Sequence, residues 1–198
     1  MTPTEPVEPD EMEILRAKRG EGWEWNKIQS DPCPQCGDDP ASIAPSALGA
    51  LVVERADAWR GFLVDADDAY LRTNPEPGVF SPIQYAAHVR GILTVYTDRM
   101  VLGLEQEAPT VPLYNPGQAE WDSYNQLGRD EVAGEIETQG RRLAETIRLA
   151  YPEGWARPVI NDRGVYGVYT FTVGGLACNA THETYHHLLD ATGTLTPS

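Results

Sequence analysis

The chain has 198 residues, of which 41% are hydrophobic, so it is long enough to bury one sizeable core. The chain contains thirty acidic and fifteen basic side chains, and the resulting formal charge of −15 disfavours nucleic acid and anionic membrane surfaces as partners. No apolar run approaches the roughly eighteen residues of a membrane span, and the acidic, proline-rich start is unlike a secretory signal. We therefore expect a cytoplasmic protein.

The N-terminal part of the chain divides into two segments. Residues 1–13 contain five acidic side chains, three prolines and no basic side chain, which predicts a flexible start. Residues 14–45 mix tryptophans and turn residues with a Cys-Pro-Gln-Cys-Gly knuckle that begins at Cys33, and we expect them to pack on the domain. The predicted organisation is an irregular N-terminal extension over residues 1–45 and one helical domain over residues 46–198.

Apolar side chains that recur every three to four residues predict four long helices in this domain. Ser81 before Pro82 marks the start of the second helix, and Gly193 marks the end of the fourth, where helices favour a left-handed residue. The four predicted helices run from Ser46 to Tyr70, from about Pro82 to Leu104, from about Asp130 to Ala150, and from a cap at Thr170 or Thr172 to Gly193.

The connections between the predicted helices differ in character. Residues 107–128 contain three prolines and few periodic apolar positions, which predicts a long crossover rather than a tight turn. Two apolar segments flank the turn residues 161–164 and predict a short β-hairpin before the last helix. The sequence therefore predicts an all-α fold, a four-helix bundle with this hairpin as a decoration.

The four histidines suggest a metal site. Three lie within six residues of the fourth helix, and the remaining one, His88, lies in the second helix. His182 and His186 are one helical turn apart and can face one ion. His88 lies in an apolar stretch that faces the bundle core, where facing helices build such sites. We predict that His88, His182 and His186 bind a divalent ion, with zinc expected before nickel or iron; core histidines without an ion are the alternative.

Other side chains of the fourth helix are candidates for supporting roles. Glu183 or His187 could shuttle a proton if either reaches the cavity. His187 is offset by about 100° from His186, so a surface or supporting role is the alternative for it. Asp190 could orient the free ring nitrogen of His186 or be a solvated charge. Cys178 could replace one histidine as a ligand.

The Cys33 and Cys36 pair admits three interpretations: part of a separate structural zinc site completed by Asp or His, a redox dithiol, or a tight turn. A closed zinc site needs four ligands, and the chain has no second Cys-x-x-Cys motif. Redox chemistry is less favoured because the neighbouring Asp31, Asp38 and Asp39 would raise the thiol pKa.

Two motifs together resemble the DinB-like superfamily. They are His182-Glu183-x-x-His186-His187-Leu188-x-Asp190 on the fourth helix and Phe80-Ser81-Pro82-x-x-Tyr85-x-x-His88-Val89 on the second. The similarity is nearest to actinobacterial members with an N-terminal Cys-Pro-x-Cys-Gly knuckle, and it covers roughly residues 30–193. The resemblance implies a bundle of up-down-down-up order and a three-histidine metal site, which maps onto His88, His182 and His186.

The resemblance also implies thiol chemistry, because characterised relatives include transferases and isomerases that use mycothiol or bacillithiol. The expected activity is transfer of a low-molecular-weight thiol, as cosubstrate, to an electrophilic small molecule at a metal ion that can stabilise a thiolate. Hydrolysis by metal-activated water and a non-catalytic metal-binding or sensor module are the alternatives. We also expect a homodimer, the commonest oligomer.

Overall fold

The computed structural model describes residues 25–114, 116–163 and 167–195. The predicted flexible start, residues 1–13, lies outside these ranges. The α-helices are α1 (Pro45–Asp65), α2 (Asp68–Arg72), α3 (Pro82–Glu105), α4 (Gln118–Tyr124), α5 (Arg129–Ala150) and α6 (Val173–Thr192). The strands are β1 (Thr110–Pro112), β2 (Pro158–Asp162) and β3 (Val168–Thr172), and short 3-10 helices span Trp25–Gln29 and Pro40–Ser42.

The four long helices α1, α3, α5 and α6 form a bundle, which confirms the predicted fold class. Helix α1 packs against both α5 and α6, and α3 packs against the same two helices. The chain must therefore cross the end of the bundle between α1 and α3 and again between α5 and α6, which requires long connections. None of the helices in the described ranges combines the length and apolar character that a membrane span requires.

Local hydrogen bonds explain why α3 and α6 begin where the sequence predicts. The Ser81 side chain accepts a hydrogen bond from the Gln84 backbone N–H, and the Gln84 side chain accepts one from the Ser81 N–H at 2.9 Å, a capping box. The Thr172 hydroxyl accepts a hydrogen bond from the Gly175 N–H at 2.8 Å and so caps α6. Helix α6 ends at Gly193, whose φ of 67° is left-handed.

Helix α1 differs from the prediction at both ends. It begins at Pro45 after Ala44, which makes no side-chain cap, so Ser46 is not the cap. It ends at Asp65 rather than Tyr70, because the Asp67 carboxylate accepts a hydrogen bond from the Ala69 N–H at 2.9 Å and starts the separate helix α2.

The hairpin is confirmed, and the structure adds a strand to it. Strands β2 and β3 pair antiparallel, with Val159 opposite Phe171 and both side chains buried. Strand β1 pairs parallel with β2 from within the crossover. Neither β1 nor α4 was predicted there, because strand and helix are only three and seven residues long and carry little periodic signal. The sheet leads directly into α6.

The described part of the N-terminal extension packs against α6 and β3. Ile28 is fully buried. The Gln29 side-chain N–H donates to the Thr170 carbonyl at 3.2 Å, and its side-chain oxygen accepts from the Thr172 N–H at 3.3 Å. These contacts hold the extension on the face of α6 that the bundle helices leave uncovered. The domain boundary at residue 45 stays a prediction.

Close packing of α1 on α5 predicts opposite effects for two glycines of α5. A Cβ at Gly140 would lie 2.7 Å from the Ala56 Cβ, whereas a Cβ at Gly134 would meet nothing within 4 Å. We expect Gly134→Ala to raise the free energy of unfolding by about 0.5–1 kcal/mol through helix propensity. Gly140→Ala should lower it by about 1 kcal/mol or more through overpacking. Urea unfolding of both variants checks this pair, and equal effects would contradict it.

Candidate metal sites

Helix α6 presents two pairs of potential metal ligands, each separated by one helical turn. The first pair is His182 and His186, and the second is Glu183 and His187. Successive helical residues are about 100° apart around the axis, so the two pairs face different neighbours. The first faces the cysteine turn of the N-terminal extension, and the second faces His88 on α3.

The first pair belongs to a cluster that we term the Cys2His2 cluster. The potential ligand atoms of Cys33, Cys36, His182 and His186 all lie within 4.8 Å of one another. Cys33 Sγ lies 3.8 Å from His186 Nδ1, and Cys36 Sγ lies 3.8 Å from His182 Nδ1. Residues 33, 182 and 186 are 2%, 0% and 4% exposed, and Cys36 is half-buried, so solvent reaches this cluster only at Cys36.

The two thiols of the Cys2His2 cluster titrate as a pair. A hydrogen bond from Cys36, supported by His182 and His186 against the effect of burial, lowers the pKa of Cys33 to about 2. The same hydrogen bond, together with burial, raises the pKa of Cys36. At Cys36 the charge of Asp38 also raises the pKa, as the sequence predicts, whereas at Cys33 the hydrogen bonds lower it.

A buried ion pair positions the cysteine turn. The two oxygens of Asp38 accept hydrogen bonds from Arg55 at 2.6 and 2.8 Å, and Arg55 also donates to the Thr181 carbonyl at 2.8 Å. Asp38 Oδ2 lies 3.5 Å from His182 Nδ1. Burial raises the pKa of Asp38, but His182 and Arg55 outweigh it and lower the pKa overall. The ion pair thus joins α1, the turn and α6.

The second pair belongs to a cluster that we term the His2Glu cluster, formed by His88, Glu183 and His187. Their potential ligand atoms also lie within 4.8 Å of one another. Glu183 Oε2 lies 2.9 Å from His187 Nε2 and 3.8 Å from His88 Nε2. The three side chains are 16%, 11% and 17% exposed in chain order, so its histidines are more exposed than His182 and His186, whose side chains are 0% and 6% exposed.

Asp190 connects the two clusters. Its Oδ2 accepts a hydrogen bond from His187 Nδ1 at 2.8 Å and lies 3.7 Å from His186 Nε2. From the sequence Asp190 was either a residue that orients His186 or a solvated charge; in the structure its shorter contact is with His187. Burial lowers the pKa of His187, but Asp190 and Glu183 outweigh it and raise the pKa to about 10. Burial raises the pKa of Glu183, but His187 and His88 outweigh it and lower the pKa well below its usual value.

Aromatic side chains form a wall beside the His2Glu cluster. The His88 ring centroid lies 4.9 Å from that of Trp121 and 6.2 Å from that of Tyr114. Tyr85 stacks on His187 at 5.3 Å, and Phe80 stacks on Trp121 at 4.0 Å. Trp121 lies on α4, which the sequence analysis missed. An aromatic pair at 121 and 124 within an otherwise polar crossover was the signal that could have revealed it.

The structure groups the predicted ligands differently from the prediction. His182 and His186 lie together, as their spacing predicts, but with Cys33 and Cys36 instead of His88. The cause is packing: α3 lies beside the face of α6 that carries Glu183 and His187, and the extension covers the other face. The cysteine pair, for which a separate zinc site was one of three interpretations, shares its cluster with two of the predicted histidines. Metal occupancy of either cluster stays a prediction.

Cys178 was an alternative ligand in the sequence analysis. Its thiol is buried, and burial raises its pKa to about 12. Among the described residues it belongs to none of the three potential ligand groups, which are the two clusters and the overlapping set of His186, His187 and Asp190.

Comparison with known proteins identifies the family. A sequence model of the DinB superfamily matches residues 51–191, which is most of the chain. The chain belongs to the DinB superfamily. The match includes α3 and nearly all of α6, and therefore the whole His2Glu cluster. The match begins at residue 51, after Cys33 and Cys36. The two cysteines of the Cys2His2 cluster therefore lie outside the matched residues.

A solved structure supports the fold assignment. The chain resembles YfiT from Bacillus subtilis with a TM-score of 0.56 and 13% identity, over 98% of this chain and 91% of that one. YfiT is described as a probable metal-dependent hydrolase with an unusual four-helix bundle topology. At this identity the likeness shows a shared fold. A comparison with curated proteins finds no match.

The buried ion pair behind the cysteine turn leads to a stability prediction. Arg55→Met should leave the Asp38 carboxylate, 7% exposed, without its cation and lower the free energy of unfolding by about 3 kcal/mol. The control is Arg141→Met, because Arg141 is 59% exposed in its pair with Glu137 and its loss should change stability little. Denaturant unfolding measures both, and a negligible effect of Arg55→Met would contradict the assigned role.

Proposed function

We propose that the protein is a metal-dependent enzyme whose reactive ion is held by the His2Glu cluster, and that it transfers a low-molecular-weight thiol of the mycothiol kind to an electrophilic small molecule. The observation that carries this proposal is the convergence of two imidazoles and one carboxylate, from two helices, at a partly exposed position. Catalytic metal sites use three protein ligands of these types and leave one position open.

The chemistry of the donor set fits a divalent ion. The Nε2 atoms of His88 and His187 both lie within 4 Å of the same oxygen of Glu183. Asp190 accepts a hydrogen bond from the other nitrogen of His187, as outer carboxylates do for metal-binding histidines. A divalent ion at this place would lower the pKa of a thiol or a water at its open position.

The proposal changes the role that the sequence analysis gave to Glu183 and His187. Both were candidates for moving a proton. In the structure they form a hydrogen-bonded pair within ligand distance of His88. We therefore propose them as ligands that position the ion, with Asp190 fixing the orientation of the His187 ring.

The surroundings of the cluster indicate the type of substrate. Trp121, Tyr114 and Tyr85 pack their rings against the two histidines of the cluster, and Trp121 and Tyr85 are themselves buried. A groove of about 690 Å³ adjoins Phe80, but its lining is mainly polar and includes none of the three ligands. Small-molecule sites are typically apolar clefts with a few convergent polar groups. We therefore propose an electrophile with an apolar or aromatic portion that packs on this wall.

Hydrolysis is the second candidate function, and two observations favour it. Two histidines with one glutamate form a ligand set that zinc-dependent peptidases also use. YfiT, which shares the fold, is described as a probable metal-dependent hydrolase. The same residues would hold the ion in either reaction, so dependence on an added thiol distinguishes the two functions.

Thiol-dependent turnover tests the proposed function. The protein is loaded with zinc, nickel or iron and assayed with mycothiol or bacillithiol and a fluorogenic alkyl halide. We expect product only with both metal and thiol, and a loss of at least about 100-fold in His88→Ala and His187→Ala because a ligand is removed. The control, Glu145→Gln, changes an exposed residue paired with Arg148 and should leave turnover unchanged.

The other outcomes of this assay are equally informative. Turnover of an ester or amide substrate without any thiol would replace transfer by hydrolysis. Unchanged turnover in His88→Ala and His187→Ala would contradict the His2Glu assignment. Equal loss of the reactive ion in His88→Ala, His182→Ala and His186→Ala, with the ion retained in His187→Ala, would instead support the three-histidine set predicted from the sequence.

Removal of the outer carboxylate should weaken metal binding without abolishing it. In Asp190→Asn the hydrogen bond to His187 Nδ1 loses its charged acceptor, so we expect metal affinity at the His2Glu cluster to fall by about 10-fold to 100-fold. Competition with a chelator measures the affinity in the parent and the variant. Complete loss of the ion, as in His88→Ala, or no change in affinity would contradict this positioning role.

A further inference from the structure

We propose that Cys33, Cys36, His182 and His186 form a second metal site, a structural zinc site that fastens the N-terminal extension to α6. This site is distinct from the reactive site of the proposed function and does not depend on it. Two of its ligands, the cysteines, lie outside the residues that match the DinB superfamily.

The distances within the cluster match tetrahedral zinc. Zinc lies about 2.3 Å from a thiolate sulfur and about 2.0 Å from an imidazole nitrogen, so tetrahedral angles place sulfur and nitrogen about 3.6 Å apart. The two sulfur to nitrogen distances between Cys and His are 3.8 Å. These two distances are within a few tenths of an ångström of the tetrahedral value, and all four ligand atoms lie within 4.8 Å of one another.

The number of ligands and the burial indicate a structural ion. Four protein ligands complete the coordination of zinc and leave no open position for a substrate. Cys33, His182 and His186 are buried, and only Cys36 is half-buried. The His2Glu cluster has three ligands, and its two histidines are more exposed than His182 and His186. The two clusters thus differ as structural and catalytic metal sites do.

The cysteine turn is already shaped to hold an ion. The Gly37 N–H donates to the Cys33 carbonyl at 2.8 Å, and the Cys33 N–H donates to the Asp38 carbonyl at 2.8 Å. Gly37 has a φ of 72°, a left-handed value that a side chain would oppose. This backbone directs both sulfur atoms to the same side, towards α6.

The charge balance of the cluster favours a cation. Two neighbouring thiolates repel each other, and a divalent ion bound between the two sulfur atoms would offset that repulsion. Asp38 lies 3.5 Å from His182 Nδ1 and adds negative charge beside the ligands, while Arg55 holds it in place.

A redox dithiol is the competing interpretation of the same pair. Both cysteines are free thiols, and they lie at hydrogen-bond distances from the two histidines. A dithiol that exchanges with partners needs an accessible sulfur atom; Cys33 is 2% exposed and Cys36 is half-buried, so the burial restricts such exchange to Cys36. Two histidines that face the two sulfur atoms are the composition of a Cys2His2 zinc site.

Cobalt substitution of the full-length protein tests this inference. Cobalt(II) bound by two thiolates in a tetrahedral site gives a thiolate-to-metal charge-transfer band and intense visible bands. We expect both in the parent. We expect the charge-transfer band to disappear in Cys33→Ser and Cys36→Ser and to persist in Cys178→Ala, a matched control that removes the remaining cysteine of the chain.

Metal content separates this site from the reactive one. In zinc-saturated protein, Cys33→Ser and Cys36→Ser should each lose one zinc per chain, and hydrogen exchange of residues 25–44 should accelerate while α3 and α5 stay protected. His88→Ala should keep this zinc and the cobalt charge-transfer band, whatever happens to its activity. Loss of activity in His88→Ala with this zinc retained would therefore concern the reactive site alone.

Three results would overturn the inference. The first is a parent protein without the charge-transfer band after cobalt loading, which needs no variant to fold. The second is retention of the full zinc content in Cys33→Ser and Cys36→Ser. The third is loss of the charge-transfer band in His88→Ala with native far-ultraviolet circular dichroism, because the chain would then have one site instead of two.

Discussion

The burial of α6 on nearly every side is the constraint on which the rest of the structure depends. From Val173 to Thr184 every residue of this helix is buried. A helix that is buried on all sides must be enclosed by other parts of the chain. Helices α1, α3 and α5 supply some of these neighbours, and β3, the N-terminal extension and Trp155 supply others. Gly174 and Gly175 permit the close approach of these neighbours to α6. A Cβ at Gly174 would lie 2.3 Å from Trp155, and a Cβ at Gly175 would lie 2.3 Å from Gln29.

This constraint explains why polar chemistry concentrates on one helix. All four histidines of the chain belong to the two clusters, and three of them are on α6. Each buried carboxylate beside them is paired: Asp38 with Arg55, and Glu183 and Asp190 with His187. Buried charges are tolerated only when they are paired or bind metal, so the clusters form a connected network within an otherwise apolar interior.

The parts of the fold that were predictable depend on local signals. Ser81, Thr172 and Gly193 determine helix ends through hydrogen bonds and backbone angles within a few residues, and the spacing of His182 and His186 shows that they share a face. The neighbour of each face could not be predicted, because it depends on tertiary packing between distant segments. Because packing decides these neighbours, the sequence predicted His88 beside His182 and did not predict the contact of Trp121 with His88. The split of α1 at Asp67 was also missed, since periodicity continued across a competing cap.

The hydrogen bonds of Gln29 have a consequence for the order of folding. Gln29 and Thr170 are 141 residues apart in the chain, and the cysteines face histidines at least 146 residues later. During synthesis the extension therefore leaves the ribosome long before its binding surface exists. Contacts of such long range form late, because the entropy of closing the loop must first be overcome. Docking of residues 25–44 onto α6 therefore requires that the C-terminal helix has already been synthesised.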